Sequence, residues 1–188
     1  MIREVVLYPS KILTKATKKV AKIDEKTKEE IKDLKETLES CQNGVGLAAT
    51  QIGIAKRFLG IKDTKTKEVK IFVNPKVITA LGLKVYPEIE DKDGKPEIFL
   101  EGCLSFPNYF GEVKRYLKIE VSWQELAEEE LVDKRKTMVG FEAIVFQHEM
   151  DHLKGILLID RITKGRGKFY KQIGEKMEEW DIRKISNL

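Results

Sequence analysis

Residues 148–152 read His-Glu-Met-Asp-His, and the two histidines of this pentad are the only ones in the 188-residue chain. Positions i and i+4 of an α-helix lie one turn apart on one face, so His148 and His152 can reach a single metal ion. Glu149, beside the first histidine, can hold or deprotonate a water on that metal. Chance would place such a pentad in roughly one chain of this length in two hundred. With histidine so scarce, a metal site outweighs coincidence. A catalytic site needs a third protein ligand and keeps its fourth position for water. Cys103, Cys41 and the carboxylates are the candidates. Cys103 sits in Glu101-Gly102-Cys103-Leu104-Ser105, where glycine admits close backbone approach, and it is favoured. Cys41 falls on the apolar stripe of a helix and reads as core. A thiolate ligand would weaken the metal as a Lewis acid, so a base fixed nearby matters more, and Glu149 is that base. Gln51 could donate its amide to a developing oxyanion, although its glycine-rich segment would equally use it to shape a loop. Gln147 is a candidate outer partner of the first histidine.

The elements that must position these residues are partly legible. Residues 25–41 predict a helix, with Ile31, Leu34, Leu38 and Cys41 recurring at spacings of three and four and Asn43-Gly44 ending it. Residues 58–61 and 71–75 predict strands, with 76–79 continuing extended. Residues 81–97 are polar, with a turn at Asp93-Gly94. Residues 97–105 read as extended, and 117–123 alternate like a strand of a half-buried sheet. Residues 138–153 predict a helix with more apolar surface than a surface helix needs, buried yet carrying two histidines and three acids. Residues 156–160 predict a short buried strand. Residues 164–185 predict a charged helix with Phe169, Ile173, Met177 and Trp180 on one stripe. The expected fold class is α+β: mixed or antiparallel sheets packed around a central buried helix carrying the His-Glu-x-x-His motif, with a C-terminal helix. One catalytic domain over 1–188 is expected, with 164–188 as its tail.

The chain is 41% hydrophobic and 35% charged, with 35 Lys and Arg against 31 Asp and Glu, a net charge of +4. These charges are well mixed, which favours a solvated surface over a nucleic-acid groove. No apolar run is long enough to span a bilayer. The N-terminal residues lack a signal or transit pattern, so an intracellular site is expected, where two cysteines are expected to stay reduced.

Three segments then coincide with a known family. Gly44-Val45-Gly46-Leu47-Ala48-Ala49-Thr50-Gln51, Glu101-Gly102-Cys103-Leu104-Ser105 and Gln147-His148-Glu149-Met150-Asp151-His152-Leu153-Lys154-Gly155 resemble, in order and separation, the three motifs of peptide deformylase. Leu7-Tyr8-Pro9 and Leu158-Ile159-Asp160-Arg161 fit more weakly, and the resemblance spans about residues 3–162. It implies a hydrolase that removes the formyl group from the N-terminal formyl-methionine of new polypeptides, releasing formate. It implies one divalent metal on Cys103, His148 and His152, commonly Fe2+, with Zn2+, Ni2+ or Co2+ able to occupy the site. A metal-activated hydroxide would attack the formyl carbon, Gln51 and the Leu104 N–H would stabilise the oxyanion, and Glu149 would shuttle the proton. Val45, Gly46 and Gly102 would flank the peptide as an added strand. Phe99, Phe141, Ile144 and Val145 would line the methionine pocket. Glu101 is expected to pair with Arg115 and hold the cysteine segment. The partners implied are nascent formyl-methionyl chains in a bacterial cytoplasm, with ribosome association near the exit tunnel as a further contact the resemblance allows, and neither membrane nor specific DNA. Two departures stand out: Phe110 lies where some relatives carry arginine near the peptide, and Phe141 is bulkier than the usual leucine.

Two other readings make different demands. A zinc peptidase of the His-Glu-x-x-His kind needs a His or Glu ligand downstream of the helix, and no third histidine exists. A structural zinc would fill all four positions with Cys and His, which would require Cys41 to join Cys103.

Overall fold

A computed structural model describes residues 1–90, 92–127 and 130–187. The first regular helix, α1 (Glu25–Ser40), begins where Asp24 accepts a hydrogen bond from the Thr27 N–H at 2.8 Å, an ordinary N-cap. Its apolar stripe puts Leu34 and Leu38 fully out of solvent. Cys41 ends the helix as its C-cap and is only half-buried, so the core position expected for it is not reached.

Short strand β1 (Gly46–Ala48) follows, then a 3-10 turn (Ala49–Ile52), β2 (Phe58–Lys62) and the 17-residue β3 (Val69–Val85). The two extended stretches expected on either side of Asn74-Pro75 are one strand with a bulge. Asn74 takes a positive φ of 50° there, and its side chain pairs with both backbone groups of Val20 at 2.8 Å. The polar stretch that follows holds a small hairpin, β4 (Glu88–Glu90) and β5 (Pro96–Ile98), around the expected turn. Next come β6 (Leu100–Cys103), β7 (Phe106–Glu112), β8 (Arg115–Ala127) and β9 (Glu130–Val139). Gly140, at φ 59°, turns β9 into α2 (Gly140–His152).

The larger sheet has the order β1-β2-β3-β8-β9, with every neighbour antiparallel. One side of α2 packs on it: Phe146, Met150 and Leu153 join Phe72, Ile119, Val121 and Trp123 in one buried cluster. Phe72 meets Phe146 edge-on at 5.5 Å and Trp123 at 5.1 Å, fixing the helix by ring geometry as well as by area. A second cluster places α1 against β2 and β3, so both helices lean on the same sheet.

Two local expectations are corrected. The strand expected at 156–160 is the start of α3 (Leu158–Gly165). An apolar run this short does not distinguish strand from helix by periodicity. The side chain of Asp160 decides it by accepting the Leu157 N–H at 2.8 Å, while Leu158 and Ile162, four apart, share the buried face. The helix expected over 164–185 is mostly a hairpin, β10 (Phe169–Ile173) and β11 (Lys176–Glu179), after which a 3-10 helix (Ile182–Asn187) ends the described chain. Gly174, at φ 61°, supplies the positive-φ residue of a two-residue loop, and Ile173 pairs with Lys176 across it. β10 then adds to β7, and Phe169 stacks on Tyr109 at 5.4 Å. That tertiary partner overrides a helical spacing of apolar residues. The second sheet therefore runs β11-β10-β7-β6. No helix among the described residues is long and apolar enough to cross a membrane.

Candidate metal centre

The edge strands of the two sheets, β1 and β6, both border one cavity of about 450 Å³, and α2 contributes to its wall. Cys103 ends β6, where its register with β7 shifts, and His148 and His152 project from successive turns of α2. Their ligand atoms lie within 4.8 Å of one another, and Cys103 Sγ is 3.2 Å from His152 Nε2. Among the described residues this is the one cluster of Cys, His and acidic side chains close enough to share an ion, and Cys41 is not part of it.

The electrostatics suit a cation. Burial pushes the Cys103 thiol up, but the His152 and His148 imidazoles outweigh it and bring it down to about 5. The thiolate, the form that ligates metal, is thus the neutral-pH form. Burial opposes charge on His148, yet its contacts with Cys103 and Glu101 raise its proton affinity well above the usual histidine range. A pocket that holds a proton this firmly between a thiolate and an imidazole offers strong donors to a metal. One soft sulfur and two imidazole nitrogens suit iron, zinc, cobalt and nickel.

Glu149 stands beside these donors, 3% exposed, with one oxygen, Oε2, buried and without a hydrogen-bond partner among the described residues. Burial pushes its pKa up to about 7. A Cβ on Gly46 would overlap Glu149 Oε1, so only glycine lets the β1 backbone approach this carboxylate. Gln51 is pinned by its own backbone turn: Oε1 accepts the Ala48 N–H at 2.9 Å, and Nε2 is left facing Ser105 Oγ at 3.2 Å and Cys103 Sγ at 3.7 Å. The sequence match that accompanies this geometry is extensive: a model of the family described as polypeptide deformylase covers residues 2–168.

The chain belongs to the polypeptide deformylase family.

It is 40% identical over 177 residues to a peptide deformylase of Aquifex aeolicus, covering 94% of this chain and 97% of that one. A Helicobacter pylori peptide deformylase is 32% identical over 180 residues, covering 92% and 93%. Among solved structures, the Thermotoga maritima peptide deformylase superposes with a TM-score of 0.69 at 35% identity, covering 86% of this chain and 97% of that one. The Synechococcus elongatus peptide deformylase in complex with actinonin gives 0.70 at 30% identity, covering 85% and 78%.

The residues expected at a deformylase site converge on the cavity. Val45 and Gly46 border it beside Gln51, and Gly102 and Cys103 of β6 border it with Leu104 just beyond that strand. Phe99, Phe141, Ile144 and Val145 form an apolar stretch of the lining, with the Phe99 and Phe141 rings edge-to-face at 5.7 Å. His148 and Glu149 also line the cavity, whereas His152 lies buried at 1% exposure. Gln147 does not reach the first histidine: it exchanges hydrogen bonds with both backbone groups of Tyr116, at 3.1 and 2.7 Å, tying α2 to β8.

His148 is oriented instead by Glu101, whose Oε2 lies 2.9 Å from Nδ1, leaving Nε2 for the centre. Arg115 grips both oxygens of Glu101, at 2.7 and 2.8 Å, as expected from the sequence. The same guanidinium continues to Asp151 Oδ2 at 2.5 Å, and Arg161 grips both oxygens of Asp151, donating from Nε to that same Oδ2 at 2.8 Å and from Nη2 to Oδ1. Glu101, Arg115 and Asp151 are all buried. Burial would raise both carboxyl groups, but Arg115 outweighs it at Glu101, and Arg161 with Arg115 outweighs it at Asp151. Asp151 and Arg161 were not anticipated as part of this network, although an acid on the buried helix next to a ligand was a signal for it. Arg115→Ala would strip buried Glu101 of its guanidinium partner, while Asp151 would keep Arg161. The expected result is metal affinity about 10–100-fold weaker and stability lower by about 3–5 kcal/mol. Chelator competition and thermal melting measure the two, and unchanged metal retention would refute the positioning role.

Proposed function

We propose that this chain removes the formyl group from the N-terminal formyl-methionine of newly made polypeptides, acting as one catalytic domain over its length. The observation that carries the reading is a single cavity holding a thiolate–imidazole–imidazole donor set, an unpartnered buried carboxylate oxygen and a pinned amide donor. Cys103, His148 and His152 would hold one divalent metal, Fe2+ in the cell. Bound there, the metal would supply Lewis acidity, making water nucleophilic and polarising the formyl oxygen.

The chain's own groups then divide the work. The peptide lies between the β1 and β6 edges as an added strand, with Val45, Gly46 and Gly102 along its backbone. Its methionine side chain enters the slot of Phe99, Phe141, Ile144 and Val145, where a flexible thioether fits apolar walls. Glu149 takes the proton of the attacking water through its free oxygen, at a pKa near operating pH, and delivers it to the leaving amine. Gln51 Nε2 and the Leu104 N–H donate to the oxygen that becomes negative as the water adds to the formyl carbon. The carbon–nitrogen bond breaks, giving formate and a free amino terminus.

The test is formate release from formyl-Met-Ala-Ser by anaerobically purified protein, with metal content read on the same sample. Formate release at about one metal per chain, the stoichiometry of a single three-ligand site, is the expected outcome. No release with metal bound, even after exchange to ferrous iron or nickel, would reject this substrate class. Peptide deformylases of bacteria among the relatives support a bacterial setting; in its cytoplasm nascent formyl-methionyl chains would be the partners, met by association with the ribosome near its exit tunnel.

A further inference from the structure

The cavity does not end at the metal centre: its lining continues across the second sheet to Asn108 and Phe110 on β7 and Gln172 on β10. The register explains this. Gly102 pairs with Phe110, and Phe110 pairs with Tyr170, so these three stand in one row on one face of the sheet. Gln172 lies two residues beyond Tyr170 and shares that face. Gly102 has no side chain, and the Phe110 ring fills its place so closely that an added Cβ would meet Phe110 Cε1 at 2.8 Å. A substrate strand along the β6 edge would therefore look across Gly102 onto Phe110 and, three strand spacings or about 14 Å away, onto β10.

This far wall is uncharged. Among the described residues, the charged groups in the cavity lining are Glu101, the Cys103 thiolate, His148 and Glu149, all at the metal centre. Glu112, next along β7 on the Phe110 face, is held by the Tyr170 hydroxyl at 3.1 Å and the Lys168 N–H at 3.0 Å. Lys171 points to the opposite face, over the Tyr109 and Trp180 rings. What the wall offers is an aromatic ring and the amides of Asn108 and Gln172.

We propose that Gln172 on the C-terminal hairpin is a specificity-determining residue, forming with Phe110 and Asn108 the neutral wall that side chains following the formyl-methionine contact. This rests on the deformylase reading. Wild-type protein, on this account, accepts acidic and basic residues after methionine alike, and the hairpin serves the cleft as well as the core.

The test compares Gln172→Lys and Gln172→Glu in the full-length metal-loaded enzyme. Gln172 is exposed and its Nε2 donates only locally, to the Gly174 carbonyl at 3.2 Å, so both variants should fold. The substrates are formyl-Met-Xaa-Ser and formyl-Met-Ala-Xaa, with Xaa either Asp or Lys. Expected is a shift in the Asp/Lys ratio of kcat/KM in at least one series, upward for Gln172→Lys and downward for Gln172→Glu. Each shift should be about two- to fivefold, the size of one exposed ion pair, and should shrink at high salt. Ratios that stay at the wild-type value in both series for both variants would overturn the proposal. Formate release by the wild-type protein reports separately on the deformylase reading, so the two can fail independently.

Discussion

Glu149→Ala is expected to keep its metal and lose turnover by about 10²–10⁴-fold, the range contributed by a positioned general acid–base. The carboxylate is buried within the donor cluster, yet it ligates through neither oxygen in the Cys103–His148–His152 set. Its Oε2 has no partner among the described residues, and burial holds its pKa up to about 7. A group in that state exchanges a proton readily near neutrality, where an exposed glutamate would stay ionised and be a poor donor to an amine. Glu149→Gln keeps the shape and hydrogen-bonding size but cannot carry the proton. It should match the alanine variant in kcat while melting close to the wild type. Metal content, kcat and KM measured together separate the causes. Loss of metal would make Glu149 a structural support of the centre. Turnover near the wild-type rate would remove it from the proton path.

Cys103→Ala should have an effect of the same order on activity by a different route, by emptying the site. The two imidazoles would remain, but the anionic donor that neutralises one charge of a divalent ion would be gone. Metal affinity should fall by more than the roughly 10–100-fold that follows loss of an outer hydrogen-bond partner. Protons should do reversibly what the mutation does permanently. The thiol is held down at about 5 by His152 and His148, against burial, so the ligating thiolate persists above that value and is lost as pH falls through it. Metal occupancy should therefore hold through neutral pH and drop on the acid side, because each bound ion competes with protons at Cys103 and the histidines. Metal content after gel filtration across a pH series from neutral to acid measures this. Cys103→Ala protein that retained a full metal complement would exclude the thiolate from the ligand set. Cys41→Ala is the paired control, since Cys41 sits half-buried at the end of α1, outside the cluster.

The local signals in the sequence were strong where chemistry needs fixed short spacing. Histidines four apart must share a helix face, and a glycine before Cys103 admits close approach, so two donors and a favoured third could be read from spacing, while the full donor set came with the family resemblance. The stripe of α1 and the alternation of β8 were legible for the same reason: the pattern repeats within a few residues, and burial on one face enforces it. The tertiary structure decided what depends on distant partners. The Glu101–Arg115 pair was anticipated, but the outer network goes on from Arg115 to Asp151 across 36 positions, a distance over which no periodicity connects side chains. The tail shows the same limit. Its apolar spacing fits a helix, but Gly174 and the waiting edge of β7, with Tyr109 ready to stack on Phe169, make it a hairpin. Residues 156–160 were ambiguous for lack of length, until Asp160 capped a helix there. The sequence by itself determined which atoms can bind a metal and move a proton. Which groups orient them, and where the cleft extends beyond them, was set by the packing of the two sheets, because side-chain reach across a fold is not written in neighbouring residues.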